Sequence, residues 1–145
     1  MSQEERNAEA IEDARKQAAE YLGFTQSRTV TVAGRQFVIP NPSLLSYDQQ
    51  ERYDELQMSL EDLDRYPDVE GDDGKVLRRG AIKEPHRKDK VRLENYDARL
   101  ARAILGDEDF TLFVAGDGRP SDVSLFWAEM QKRLTDKRAE DSKSL

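Results

Sequence analysis

The stretch SDVSLFWAEMQKRL, residues 121–134, carries the most apolar helical face in the chain. Its apolar residues recur at helical spacing, and serine is a favoured N-cap residue. We therefore predict a long last helix that Ser121 caps and that anchors the core. The predicted inward face consists of Val123, Phe126, Trp127, Met130 and Leu134.

Four other segments have the apolar spacing of helices. Two of them begin with capping-box pairs, Ser2 with Glu5 and Ser46 with Gln49, in which each side chain satisfies a free backbone N–H. The predicted helices cover residues 2–22, residues 46 to Pro67, residues 92–105 and residues 107–115. In the last two, the predicted inward residues are Leu93, Tyr96, Leu100, Ile104, Phe110 and Phe113.

Residues 29–39, TVTVAGRQFVI, predict a β-hairpin because β-branched residues dominate and Gly34 supplies a turn. With Gly34-Arg35 as a two-residue turn, Val32 faces Phe37 and Val30 faces Ile39, so all four share one face. An isolated hairpin is marginal in water. This one must pack on helices or add to strands of another chain.

Residues 67–91 predict a long loop, mobile or ordered by contact, because glycine, proline and charge dominate and no period holds. From Lys75 to Arg92, eight Lys/Arg face two acids, a local charge of +6. Subtracting it from the net charge of −7 leaves −13 for the other residues. A basic loop on an acidic body indicates contact between copies or with an acidic partner.

The composition limits the fold and the functions open to this chain. Apolar and charged residues each make up 37% of it, so the core must be lean. The fold class we predict is mainly α: four to five helices with one small β-hairpin. The predicted organisation is an N-terminal helix over residues 1–23, a single helical domain over 24–137 and a polar tail over 138–145.

No catalytic, metal or cofactor site is predicted. The chain has no cysteine and a single histidine, His86, which we expect to be a solvated loop residue. The acids from Asp68 to Asp73 fail the calcium-loop pattern, because position 6 would be Asp73 and position 12 Arg79. The basic loop contains no aromatic residue to stack on bases, and the acidic body would repel phosphates, so nucleic-acid binding is disfavoured.

The order of short segments resembles that of tail assembly chaperones of long-tailed, siphovirus-type phages that infect actinobacteria. The resemblance covers residues 28–135. It rests on a V-x-V-x-G-x-x-F-x-I-P hairpin, an N-P-S step into a helix, and a helix that ends in Ile104-Leu105-Gly106. Acidic residues 107–109, Phe110 and Phe113, the Ala115–Gly118 turn, Pro120–Val123 and the Trp127 to Met130 helix complete it.

This resemblance implies a function in the cytoplasm of the infected host. Such proteins bind the long tape measure protein, keep it soluble during tail assembly and are absent from the finished virion. They are commonly made in two forms, the longer by a translational frameshift, so a frameshift-extended form is an expected partner. The lean core, the N-terminal helix and the charged loop of this chain also predict association with other copies of itself. The class has no enzymatic activity and no cofactor. The alternative function is a structural head–tail connector or tail terminator that stays in the virion.

Two sets of residues are the candidates for these contacts. The partner-binding set combines the apolar seam of the second helix with basic loop residues. The alternative for the seam is that it belongs to the core. The set is Tyr53, Leu56, Leu60, Leu63, Arg78, Arg79, Arg87 and Lys88. The self-association set takes one stripe of the N-terminal helix and one hairpin face: Ile11, Ala14, Ala18, Val30, Val32 and Phe37.

Overall fold

Helices predominate in the computed structural model, which describes residues 2–21 and 27–143. The structure is 54% helical, which confirms a mainly helical class. The described residues form three antiparallel strand pairs, so the prediction of a single hairpin is wrong. The elements are α1 (Gln3–Tyr21), β1 (Ser27–Val32), β2 (Arg35–Pro40), α2 (Tyr47–Ser59) with a 3-10 turn (Leu60–Asp62), β3 (Val69–Glu70), β4 (Val76–Arg78), β5 (Arg87–Lys88), β6 (Val91–Arg92), α3 (Tyr96–Leu105), α4 (Asp107–Ala115) and α5 (Pro120–Lys143).

The predicted face of α5 forms the centre of the core. Val123, Trp127 and Met130 are buried, with exposed fractions of 4% or less. The inner sides of α3, α4 and β2 pack around Val123 and Trp127, and Phe37 meets Phe113 edge to face at 5.3 Å between ring centroids. Phe126 and Leu134, also predicted to face inward, are partly buried. The prediction that the last helix anchors the core is therefore confirmed.

The hairpin β1–β2 shares the predicted face but has a different turn. Ala33 and Gly34 both have positive φ, at 50° and 79°, so they are the central residues and Gly34-Arg35 is not the turn. Val30 pairs with Phe37 instead of Ile39. The pairing is displaced by two residues, and a two-residue displacement keeps every side chain on its face. The buried face meets helices of the same chain.

Local sequence signals locate several helix ends, with four exceptions. The second helix was predicted to reach Pro67, but α2 ends at Ser59 and its 3-10 turn ends at Asp62. The last helix continues to Lys143, into the segment predicted as a polar tail. The capping boxes of Ser2 with Glu5 and Ser46 with Gln49 are both formed. The prediction that α3 begins at residue 92 is wrong, because Asn95 caps it and leaves Leu93 outside. The predicted cap Ser121 lies inside α5, which begins one residue earlier with Pro120 at its first position.

The N-terminal helix α1 exposes most of its described side chains. Ile11 is 55% exposed and Ala14 is also exposed. The side chain of Ala18, and the predicted stop at Gly23, lie outside the described part of the chain. In that described part, no helix is both long enough and apolar enough to cross a lipid bilayer.

Candidate protein-binding surface

Residues 63–93, called the hairpin lobe below, contain two short hairpins where the sequence predicted a loop without regular structure. Strands β3 and β4 form one pair, and β5 and β6 form the other. An isolated antiparallel bridge joins Arg65, which precedes β3, to Ile82, which follows β4. The irregular composition misled the prediction, because two- and three-residue strands are too short to show a period.

Asp64 joins the two ends of the lobe. Its carboxylate accepts hydrogen bonds from the backbone N–H of Asp89 at 3.0 Å and of Lys90 at 2.8 Å. Asp89 and Lys90 have positive φ and form the tight turn between β5 and β6. The Asp64 backbone N–H donates to Arg87 and its carbonyl accepts from Lys83. One residue thus fixes the hairpin β5–β6 against the chain that enters the lobe.

Gly80 allows the close approach that positions β3–β4. The Gly80 backbone is so near the Tyr66 carbonyl that an added Cβ would overlap the Tyr66 oxygen. The Gly80 N–H donates to the Asp68 carboxylate at 2.7 Å, and the Tyr66 N–H donates to Ala81. Two of the acidic-run residues therefore have backbone partners inside the lobe: Asp68, and Asp73, which accepts from the Lys75 N–H.

His86 connects the lobe to α3, and the prediction of a solvated histidine is wrong. Its side chain is 11% exposed. Nδ1 faces the guanidinium of Arg99, and Nε2 lies 3.2 Å from a carboxylate oxygen of Glu84. The imidazole ring also packs on Tyr96 at 5.8 Å between centroids. A sequence-local view could not see this, because Tyr96 and Arg99 follow ten or more residues later.

The hairpin lobe exposes large apolar side chains, which are spread over both strand pairs and the chain before them. Leu77 is 72% exposed, and four others are between 41% and 66% exposed: Tyr66, Val69, Val76 and Val91. Single exposed apolar residues are ordinary, but five on a segment of this length indicate a contact surface. Sequence reasoning missed all five, although apolar residues within a charged run were a usable signal.

Basic side chains lie beside this apolar surface. Arg78 and Arg79 line a cavity of about 430 Å³ together with Tyr66 and Val69. Arg79 also pairs with Glu61 at 3.0 Å. Arg87 and Lys88 belong to the other hairpin, in β5. The structure therefore brings Arg78 and Arg79 together with apolar side chains but places Arg87 and Lys88 on a separate strand pair.

The apolar seam assigned to partner binding belongs mainly to the interior, so that assignment is corrected. Leu56 and Leu63 are buried, and Tyr53 packs on Trp127 at 5.1 Å between ring centroids. Leu60 is half-buried in the 3-10 turn. The helical spacing was real, but α2 packs on α3 of the same chain, so the seam is already covered.

The hairpin residues assigned to self-association also face inward. Phe37 is 2% exposed, and Val30 and Val32 are partly buried against the core. That assignment is wrong for Phe37, because β2 buries its apolar face on the helices. In the N-terminal helix, Ile11 and Ala14 remain exposed.

Two further cavities lie near α3. One of about 290 Å³ is lined by His86, Glu84, Tyr96 and Asp97. The other, of about 300 Å³, lies between α2 and α3 and includes Leu56 and three arginines, Arg52, Arg99 and Arg102. Within residues 2–21 and 27–143, no group of three or more His, Asp or Glu side chains is placed to hold a metal ion.

A second exposed face lies on α2. Tyr47, Glu51, Asp54 and Met58 recur at spacings of four, three and four residues, which puts them in one stripe. All four are exposed, Tyr47 by 78% and Met58 by 74%. This stripe combines two large apolar side chains with two carboxylates between them.

Comparison with known proteins yields no relative. No protein-family model matches the chain, and no match is found among curated proteins or solved structures.

Proposed function

We propose that this chain is a protein-binding assembly factor of the phage tail assembly chaperone type. In this role it binds the tape measure protein in the cytoplasm of the infected host, keeps it soluble and associates with further copies of itself. The proposal takes its class from the resemblance over residues 28–135. It involves no catalysis, cofactor or metal.

The observation that carries the proposal is the apolar and basic surface of the hairpin lobe. Leu77, Val76 and Val91 are each more than half exposed. The core cluster is built from other residues. Apolar area left in water is unfavourable, by about 25 cal/mol for each Å² that a partner could cover. Contact with another protein would remove these side chains from water, whereas the isolated chain leaves them exposed.

The test is co-expression with the tape measure protein of the same genome, followed by a solubility assay and a pull-down. We expect the tape measure protein to become soluble and to co-purify. A tape measure protein that stays insoluble, with nothing retained, would contradict the proposal.

A matched pair of leucine variants connects the result to the lobe. Leu77 on the lobe is 72% exposed and Leu125 on α5 is 63% exposed. We expect Leu77→Ser to lower the amount of tape measure protein recovered and Leu125→Ser to leave it unchanged.

Mass spectrometry of purified virions distinguishes the chaperone from the alternative function. A head–tail connector or tail terminator would be present in the particle, and a chaperone would be missing.

A further inference from the structure

The hairpin lobe and helix α2 have opposite charge. The lobe, residues 63–93, contains nine Lys/Arg and seven Asp/Glu, a charge of +2 that comes from +6 in residues 75–92, whereas residues 47–62 contain six acids and one arginine, a charge of −5. That arginine, Arg52, turns inward and donates to the Ala103 carbonyl at 2.7 Å. The outward stripe of α2 is therefore purely acidic in its charged residues.

The two surfaces also match in their apolar content. The lobe presents Tyr66 and Val69, which line one cavity with Arg78, and α2 presents Tyr47 and Met58 on either side of Glu51 and Asp54. From Tyr47 to Met58 the stripe is about 16 Å long, at about 1.5 Å per helical residue. Both surfaces thus offer apolar anchors with charge beside them, the arrangement that favours specific contact over nonspecific attraction.

One ion pair already joins the lobe to the end of the α2 segment within the same chain. Arg79 of the lobe pairs with Glu61, which follows α2 directly in the 3-10 turn. The outward stripe of α2 itself remains exposed. A lobe from elsewhere can therefore reach it without displacing any buried residue.

We propose that the hairpin lobe of one copy docks on the outward stripe of α2 in a second copy. Arg78 and its basic neighbours lie against Glu51 and Asp54, while the exposed apolar residues of the two surfaces cover one another. Because the two surfaces differ, each copy can give its lobe to one neighbour and receive the lobe of another. The inference rests on the self-association included in the proposed function, and it specifies the surfaces.

The test is a charge-reversal exchange with the purified full chain and no tape measure protein. The first variant is Lys75→Glu/Arg78→Glu, which makes the lobe acidic, and the second is Glu51→Lys/Asp54→Lys, which makes the α2 stripe basic. Sedimentation equilibrium measures the mass, with circular dichroism to verify that each variant is folded. The matched control, Lys132→Glu/Arg133→Glu, makes the same charge change on exposed residues of α5.

We expect the wild-type chain and the control to associate, and each reversal variant alone to dissociate towards the 16.7 kDa monomer. An equimolar mixture of the two variants should associate again, because every lobe then meets an α2 stripe of opposite charge. The dissociation constant of each variant alone should rise at least about tenfold, and that of the wild type should rise with salt.

Three results would overturn the inference: a wild-type chain that stays monomeric, reversal variants that associate as the wild type does, or a mixture that fails to reassociate. Because no tape measure protein is present in this assay, each of these results leaves capture of that protein as a separate question. The lobe variant Lys75→Glu/Arg78→Glu could instead fail to bind the tape measure protein while it still self-associates. In that case the partner of the lobe is the tape measure protein and not a second copy.

Discussion

The indole N–H of Trp127 donates a hydrogen bond to the carbonyl oxygen of Pro40, with 3.0 Å between the two atoms. Both residues are buried. The bond joins the N-terminal third of α5 to the end of β2 and therefore fixes the hairpin on the helical core. Without this donor, no hydrogen bond would offset the free energy that it costs to remove the carbonyl from water.

Trp127→Phe tests this connection. We expect the free energy of unfolding to fall by about 2–4 kcal/mol, because the variant loses a buried hydrogen bond and leaves a cavity. Urea denaturation followed by circular dichroism measures the change. Tyr47→Phe, at an exposed tyrosine, is the control and should change the value by less than about 0.5 kcal/mol. Equal stabilities of the wild type and Trp127→Phe would contradict the prediction.

Tyr53 gives a prediction about alkaline pH. Burial, with smaller contributions from Tyr96 and Asp54, raises the pKa of the Tyr53 phenol above its ordinary value of 10.0. The unfolded state therefore releases this proton first as the pH rises. The resulting stabilisation is complete below the ordinary pKa and is lost as the pH rises through the higher pKa of the folded state.

We expect stability to decline above about pH 10, and Tyr53→Phe to make that decline shallower. The measurement is the free energy of unfolding of both chains across the alkaline range. Tyr47→Phe, which removes a phenol that is 78% exposed, is measured alongside as the matched tyrosine variant. A Tyr53→Phe slope equal to that of the wild type would show that the buried phenol contributes nothing.

Asp64→Ala should loosen the hairpin β5–β6 without unfolding the core. The variant loses two hydrogen bonds from a charged acceptor to the N–H groups of Asp89 and Lys90, which we value at about 2 kcal/mol in total at this half-exposed site. Amide hydrogen exchange in residues 86–93 should become more than about tenfold faster, while exchange in α5 is unchanged. The control is Asp62→Ala, at an exposed carboxylate nearby. Equal exchange rates in the two variants would remove Asp64 from this role.

Gly80→Ala should open the hairpin β3–β4, because its Cβ would overlap the Tyr66 carbonyl oxygen and the backbone must move. The Tyr66 amide, which donates to Ala81, should lose most of its protection from exchange. Gly74→Ala is the contrasting variant, since Gly74 has a φ of 78° but open space around its Cα. It should cost only the strain of a left-handed residue, about 1–2 kcal/mol, confined to the turn. Protection of Tyr66 that survives Gly80→Ala would be inconsistent with this packing.

Local signals in the sequence predicted the helices well. The serine capping boxes at residues 2 and 46 are formed, and α4 has the predicted bounds of residues 107–115. Each of these signals acts over a few residues, through a side chain and the backbone beside it. The hairpin face was predicted for a related reason, since alternation survives a two-residue displacement of the strand pairing.

Local signals failed where distant residues determine the outcome. The seam consists of the apolar residues Tyr53, Leu56 and Leu63, and the exposed residues Leu77 and Val91 are apolar as well. The sequence alone does not indicate which of them are buried. Packing of α2 on α3 covers the seam, while no described element covers Leu77, which is 72% exposed. His86 is a similar case, because Tyr96 and Arg99 shield it only after α3 has formed.

The sequence by itself determined where α1, α2 and α4 begin, where α3 and α4 end, and which face of α5 and of the hairpin is apolar. It also determined the separation of charge, with +6 in residues 75–92 and −13 elsewhere. Only the tertiary structure decided which apolar residues lie inside and which form the lobe surface. The reason is physical: a cap or an apolar stripe depends on neighbours within one or two turns, whereas burial depends on contacts between segments far apart in the chain.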